Sequence, residues 1–275
     1  MLKSNTLKIN SKDDVTFMTF PAFERTGLVT HAFSTRTGGV STGIYSSMNL
    51  SFTLGDQEEN VLENYQRFCG AIGIDYKRLV FANQTHKTEI RIATEQDAGK
   101  GIIKIRDYND IDGLITNTRN LPLVTLYADC VPLLFLDPIK KVVGTSHAGW
   151  KGTVGQIGLK TVEKMREVFG CNPEDILVGI APSIGPCCYE VDDLVVNEVK
   201  KLKNIDFGSV IKPVGNGKYM FNMWETNKQI LMSAGVPKDN ITVTDLCTRC
   251  HSDVFHSHRA TGGRRGSLAA IICLR

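Results

Sequence analysis

Residues 125–155 read Thr-Leu-Tyr-Ala-Asp-Cys-Val-Pro-Leu-Leu-Phe-Leu-Asp-Pro-Ile-Lys-Lys-Val-Val-Gly-Thr-Ser-His-Ala-Gly-Trp-Lys-Gly-Thr-Val-Gly. Two apolar runs flank Asp137-Pro138, a pair that starts turns. The first run carries Cys130 in its middle, and the second ends at His147, where a helix is expected to begin. Two glycines around Trp150 and Lys151 at that entrance suggest close backbone approach to another group. A helix N-terminus also favours an anion. A thiol and an imidazole on neighbouring strands allow two chemistries. Cys130 can be a nucleophile with His147 as its base, or both can bind a metal together with a further histidine, because Cys with two His is an allowed zinc set. The spacing alone does not choose between them.

Outward from this stretch, strands and helices intersperse. Strands are expected at 27–33, at 78–93 (with a break near Gln84-Thr85-His86), at 111–116, in "DILVGIAPSIG", in "ITVTDLC" and in "GSLAAIICLR". Between 34 and 56 lies a long Gly/Ser-rich loop, and loops of that length inside compact domains are often functional. Asp56-Gln57-Glu58-Glu59 has the form of a capping box, followed by Val61, Leu62, Tyr65, Phe68 and Ile72 at helical spacing. A second helix is expected through 153–170, with Val154, Ile157, Thr161, Met165 and Val168 as its stripe and Gly170 as its stop. Further helices are expected near 192–202 and 222–234, the latter with a box-like start from Asn222 to Glu225. Many hairpins with interspersed helices argue for an α+β fold with mixed sheets, not a doubly wound parallel sheet. With no linker or repeat, one domain over 26–275 is expected, preceded by an N-terminal extension or edge strand over 1–25.

Composition narrows the function classes. The chain has 275 residues, 42% hydrophobic and 22% charged, with a net charge of +3, as expected for a soluble enzyme. No long basic run points to nucleic acid, and no apolar stretch approaches a membrane span. The first residues lack an apolar signal region. The eight cysteines are therefore read as reduced thiols in a cytoplasmic protein. Two metal-like patterns in 246–266 are set aside. Cys247-Thr-Arg-Cys250-His251 matches a haem attachment pattern that would need export. A knuckle from Cys247, Cys250, His256 and His258 has too tight a histidine gap. A substrate-facing loop containing Arg259 is preferred there. Arg36 in "STRTGG" has the fork geometry for a phosphate. "APSIGPCCYEV", around Ser183, suits a cavity wall, and Phe33, Tyr127 and Trp150 are candidate stacking rings.

Taken together, "HAFSTRTGGVS", "NQTH", "DGLIT", "ADCVPLLFLD", "GTSHAGWKGTV", "APSIGPCCYEV" and "FHSHRATGGRRGSLAAII", in this order over 31–273, resemble the laccase-domain family, also called the multicopper polyphenol oxidase or YfiH/YlmD-like purine nucleoside phosphorylase family. The resemblance implies a YfiH-like fold related to the catalytic domain of cytotoxic necrotizing factor. It implies that His86, Cys130 and His147 gather round one metal, chiefly Zn2+ with Cu2+ also attached to the family. It implies phosphorolysis of adenosine, inosine and 5′-methylthioadenosine to the base and ribose-1-phosphate, with adenosine deamination. Six histidines, with one His-X-His pair (His256, His258), are too few for a multicopper oxidase, so polyphenol oxidation is a secondary alternative beside a Cys130–His147 hydrolase. Arg36, Asp129, Lys151 and Arg259 are the expected substrate and phosphate contacts, with Asp129 either protonating the leaving base or orienting a ligand. Partners are then small purine nucleosides and phosphate, with neither nucleic acid nor membrane, on a monomer or weak dimer. The chain departs from the family's "FFSHR" or "FFSYR" pattern at Phe255-His256-Ser257-His258-Arg259.

Overall fold

The computed structural model describes residues 2–275. Its strands, in chain order, are β1 (Lys8–Lys12), β2 (Val15–Thr19), β3 (Val29–Ser34), β4 (Val80–Phe81), β5 (Ile90–Ile92), β6 (Gly113–Thr116), β7 (Leu123–Tyr127), β8 (Val131–Asp137), β9 (Val142–Ala148), β10 (Leu177–Ile180), β11 (Glu190–Asp192), β12 (Ile211–Gly215), β13 (Lys218–Phe221), β14 (Ile241–Val243) and β15 (Leu268–Leu274). They form one six-stranded sheet in the order β1-β2-β3-β15-β7-β4, a second in the order β14-β10-β8-β9-β6-β5, and a small third sheet, β11-β13-β12. Pairing is antiparallel except for β4 with β7, β5 with β6 and β10 with β14. This is the α+β fold with mixed sheets that the hairpin-rich pattern predicts.

The alternation of side chains along each strand sorts the core into layers. Leu123 and Tyr127 of β7, Leu134 and Leu136 of β8, and Ala270 and Ile272 of β15 belong to one cluster between the large sheets. Val124 of β7 with Ala269 and Ile271 of β15 turn the other way, onto Val61, Tyr65 and Phe68 of the helix Glu58–Ile72. Val131, Leu133 and Phe135 of β8 pack with Ile157, Val162 and Met165 of the helix Ile157–Phe169. Helix, sheet, sheet and helix are thus stacked. Both faces of each central strand are buried, which is why the runs read as continuously apolar.

Three local expectations are corrected. The run around Cys130 is two strands, because β7 belongs to the first sheet and β8 to the second; the chain changes sheets at Ala128–Cys130. The helix expected through 153–170 is broken into Trp150–Val154 and Ile157–Phe169, with Gln156 between them at φ +60. The second piece buries Ile157, Thr161 and Met165 of the expected stripe but leaves its last member, Val168, 38% exposed. The capping box at Asp56 does not form. Gln57 is the N-cap, without a side-chain bond, and the Asp56 carboxylate accepts from Ser41 Oγ at 2.6 Å and Asn49 Nδ2 at 3.0 Å. It anchors the long loop instead. The helix Met223–Ser233 does start as expected, with the Asn222 side chain accepting from the Glu225 N–H.

Candidate metal centre

Three chain segments meet at one end of the sandwich. The connection from β4 to β5 crosses from the first sheet to the second and carries His86; the connection from β7 to β8 makes the same crossing and carries Cys130. His147 lies near the end of β9, opposite Pro132 of β8. In β9, Ser146 faces the helix layer, its hydroxyl 2.8 Å from that of Thr161. Thr145 and His147 therefore face the first sheet. Thr145 Oγ1 lies 2.6 Å from Thr125 Oγ1, and the His147 ring is 5.6 Å from that of Tyr127.

Asp112, just before β6, organises the site. Its carboxylate accepts the backbone N–H groups of Thr85 (3.0 Å), His86 (3.0 Å) and Lys87 (2.9 Å). This holds His86 at φ +63, a left-handed conformation that needs outside support. The same carboxylate lies 2.8 Å from His147 Nδ1. An ionised carboxylate only accepts, so Nδ1 carries the proton and Nε2 is left as a lone-pair donor toward the site. Burial opposes ionisation of Asp112, but the His147 bond and the backbone N–H groups hold its carboxyl below the ordinary value. Gln84 ties the same loop to β7, accepting the Leu126 N–H at 2.7 Å and donating to its carbonyl at 2.8 Å.

His86, Cys130 and His147 each offer a donor atom, all within 4.8 Å of one another, and Cys130 Sγ is 3.9 Å from His86 Nε2. In a tetrahedral zinc site with Zn–N about 2.0 Å and Zn–S about 2.3 Å, the N···S edge is roughly 3.5 Å. The three donors are close to that arrangement, with His147 buried, Cys130 half-buried and His86 exposed. A side chain at Gly149 would place Cβ 3.0 Å from both Cys130 Sγ and His86 Cδ2, so glycine keeps the space between the donors clear. Burial alone would raise the Cys130 thiol, but His147 and His86 bring it down to about 6. Burial would lower His147, yet Cys130 and Asp112 raise it to about 9. The thiolate is the form a metal binds.

Two cavities open on this cluster and share His86 and Cys130. The larger, about 410 Å³, is lined by Phe52, Gln84, Arg106 and Arg265 among others. The smaller, about 290 Å³, is lined by Asp129, Trp150, Lys151, Ile184, Tyr189 and Met223. Asp129 precedes Cys130 at φ +85. Its carboxylate accepts the Thr248 hydroxyl and the Arg259 N–H, both at 2.6 Å. Both oxygens are occupied, so the group positions the corner that presents Cys130. Arg259 donates its guanidinium to the Glu190 carbonyl at 3.1 Å and lies 5.2 Å from the Tyr189 ring. Arg36 is not among the residues lining either cavity. Its guanidinium donates to the carbonyls of Ser46 and Ser252 and locks two loops together. Ser183 is buried and accepts from the Trp224 indole at 2.6 Å. Sequence reasoning missed Asp112, Arg106 and Arg265. For Asp112 the only local signal is a carboxylate entering a short, fully buried strand.

Stacked mixed sheets with a Cys/His/His donor cluster where two sheet crossings meet define a class of α+β sandwich with a candidate metal centre. The chain belongs to the multi-copper polyphenol oxidoreductase laccase family, whose model matches residues 30–275. It is 37% identical to the purine nucleoside phosphorylase YlmD of Bacillus subtilis over 88% of this chain and 87% of that protein. It is 33% identical to adenosine deaminase RL5 from an unknown prokaryotic organism, over 86% of this chain and 90% of that protein. The solved structure of Bacillus licheniformis YfiH superposes with a TM-score of 0.92 at 33% identity, over 98% of this chain and all of that one. Among the described residues, no helix is long and apolar enough to cross a membrane.

Proposed function

We propose that the protein is a zinc-dependent purine nucleoside phosphorylase acting on adenosine, inosine and 5′-methylthioadenosine, with adenosine deaminase activity. The observation that carries this reading is the three-donor cluster standing between two cavities of different character, in a chain whose relatives bear those two enzyme names. His86, Cys130 and His147 would hold the metal, and a Cys/His/His set favours zinc over multicopper chemistry. When bound, zinc supplies Lewis-acid charge stabilisation beside both cavities.

The protein's own groups divide the remaining work. Trp150 and Tyr189 offer apolar ring faces to a purine in the smaller cavity, with Lys151 at its edge. Arg265 and Arg106 supply positive charge in the larger cavity. Arg265 donates through Nη1 to Ser267 Oγ at 2.8 Å, while its buried Nε has no protein partner. It is the better phosphate holder, because the Arg36 guanidinium is already taken up by carbonyls. Asp112 keeps the His147 proton on Nδ1. Asp129 acts as a positioning residue rather than the acid for the leaving base. Eight free cysteines support a cytoplasmic setting, and a monomer or weak dimer suits the single stacked core.

The test is incubation with adenosine, with and without phosphate, and chromatographic separation of products. Phosphate-dependent adenine that disappears in His86→Ala is the expected result, with inosine reporting deamination. Zinc-containing protein that forms no purine product sinks the reading. The Asp112–His147–Cys130 chain also has the order of an orienting carboxylate, base and nucleophile, which favours a cysteine hydrolase as the second reading. That activity would survive His86→Ala and chelation, whereas the phosphorylase would not.

A further inference from the structure

Four cysteines outside this site converge from two loops. Cys187 and Cys188 lie in the connection between β10 and β11, and Cys247 and Cys250 in the segment after β14. All four are free thiols, and their sulfurs lie within 4.8 Å of one another. Cys250 Sγ is 3.5 Å from Cys187 Sγ and 3.4 Å from Cys188 Sγ. A tetrahedral zinc with four Zn–S bonds of about 2.3 Å has S···S edges of roughly 3.8 Å. The four sulfurs are therefore near that spacing, well beyond a covalent S–S bond of about 2.05 Å. The geometry points to a second metal site, a closed four-cysteine structural zinc centre.

The surroundings suit bound thiolates. The Gly185 N–H donates to Cys247 Sγ at 3.2 Å, the kind of outer hydrogen bond that steadies a ligating sulfur. Arg249 lies against the Cys188 sulfur. It supplies positive charge next to a centre whose four thiolates outweigh a divalent cation. The set is soft and all-sulfur, which selects zinc or iron among common metals, and it leaves no open position for substrate. Its place in the fold gives it a task. The two loops meet at a parallel bridge between Ser183 and Cys247, and the Thr248 N–H donates to the Ser183 carbonyl at 3.0 Å. Ile184 and Tyr189 from the first loop line the smaller cavity, while the Thr248 hydroxyl from the second holds Asp129. A metal there pins the cavity wall and the corner that presents Cys130. Adjacent cysteines paired with a distant Cys-x-x-Cys do not form one local motif, so the sequence directs attention to His256 and His258 instead. His256 is buried and accepts the Gly266 N–H through Nδ1.

The experiment uses the full chain purified in zinc-containing buffer. Zinc per chain is measured for the wild type, for His86→Ala and for Cys187→Ser and Cys250→Ser, which change the two exposed cysteines of the cluster. We expect about one equivalent retained in His86→Ala and lost in each serine variant, whatever becomes of the first centre. Iodoacetamide labelling of the unmodified protein gives a second reading that needs no variant. Cys187 and Cys250 should resist alkylation until a chelator is added. Free alkylation before chelation, protection relieved by reductant alone (a disulfide), or iron in place of zinc would overturn the assignment.

Discussion

Asp112 carries more of the candidate centre than any donor does alone, because one carboxylate fixes both the His86 loop and the His147 tautomer. Replacing it with Asn keeps the shape but removes charge, and an amide cannot accept from three N–H groups and an imidazole equally well. Loss of such an orienting partner typically weakens metal affinity 10- to 100-fold. We expect Asp112→Asn to do so with the fold retained, as read by competitive zinc titration alongside circular dichroism. Affinity equal to the wild type would show that His86 and His147 are held by packing alone. The family resemblance picks out the three donors that the structure brings together, whereas spacing alone leaves Cys130 and His147 open between a nucleophile with its base and a pair of metal ligands. Asp112 is not legible as part of the site, since an aspartate before a glycine ordinarily signals a turn. Arg36 misleads for the converse reason: a loop arginine just ahead of two glycines resembles an anion site, but its role depends on the carbonyl of Ser252, 216 residues away.

At the scale of elements, the break at Gly155–Gln156 shows where periodicity misleads. The apolar stripe runs on through 154–168 as though the helix were continuous, but Gln156 adopts φ +60 and ψ 42. The gap lets the short helix Trp150–Val154 sit at the mouth of the cavity while Ile157–Phe169 lies along the second sheet. The two readings give opposite signs for one substitution. In a continuous helix, Gln156→Gly would destabilise by about 1 kcal/mol. In the left-handed conformation a side chain costs roughly 1–2 kcal/mol that glycine avoids, partly offset by glycine's greater chain entropy. We therefore expect Gln156→Gly to stabilise by about 0.5 kcal/mol, visible as a raised urea midpoint at unchanged slope. A lowered midpoint would restore the continuous helix. The same limit hid the sheet change at Cys130: hydrophobicity records that a segment is buried but not which sheet it joins, and burial on both sides removes the alternation.

For the whole molecule, the N-terminal segment is part of the layered core. β1 and β2 extend the first sheet through β3, turning at Asp13 and Asp14, both with positive φ, so the hairpin lacks the Asn-Gly signal that would announce it. The join is sensitive to protonation. His31 of β3 accepts the Phe20 N–H at 2.7 Å, with its ring against Phe20 and Phe23. It is 4% exposed, and burial drives its pKa down to about 4, with Glu24 opposing and Arg275 assisting. His256, also buried, is lowered to about 3, chiefly by burial and then by Arg36. A histidine with a depressed folded pKa contributes stability above its unfolded value near 6.5, and that contribution falls away as acid protonates the unfolded chain first. For His31 the loss between pH 6.5 and 4 is on the order of 3 kcal/mol. Asp97, held at about 2 by Lys100, Thr94 and Arg91 against burial, loses its contribution mainly below pH 4. Cys130 and His147, at about 6 and 9, change stability in opposing senses between those values and little below them. The interval from pH 6 to 4.5 therefore reports mainly on the buried histidines. We expect the wild-type unfolding free energy to fall with acidification across it, and His31→Gln, which retains an acceptor for Phe20 but cannot be protonated there, to fall less steeply. Metal loss in acid acts on both proteins and cancels in the difference between their slopes. Parallel slopes would mean that the N-terminal hairpin is not held to the sandwich by a neutral His31.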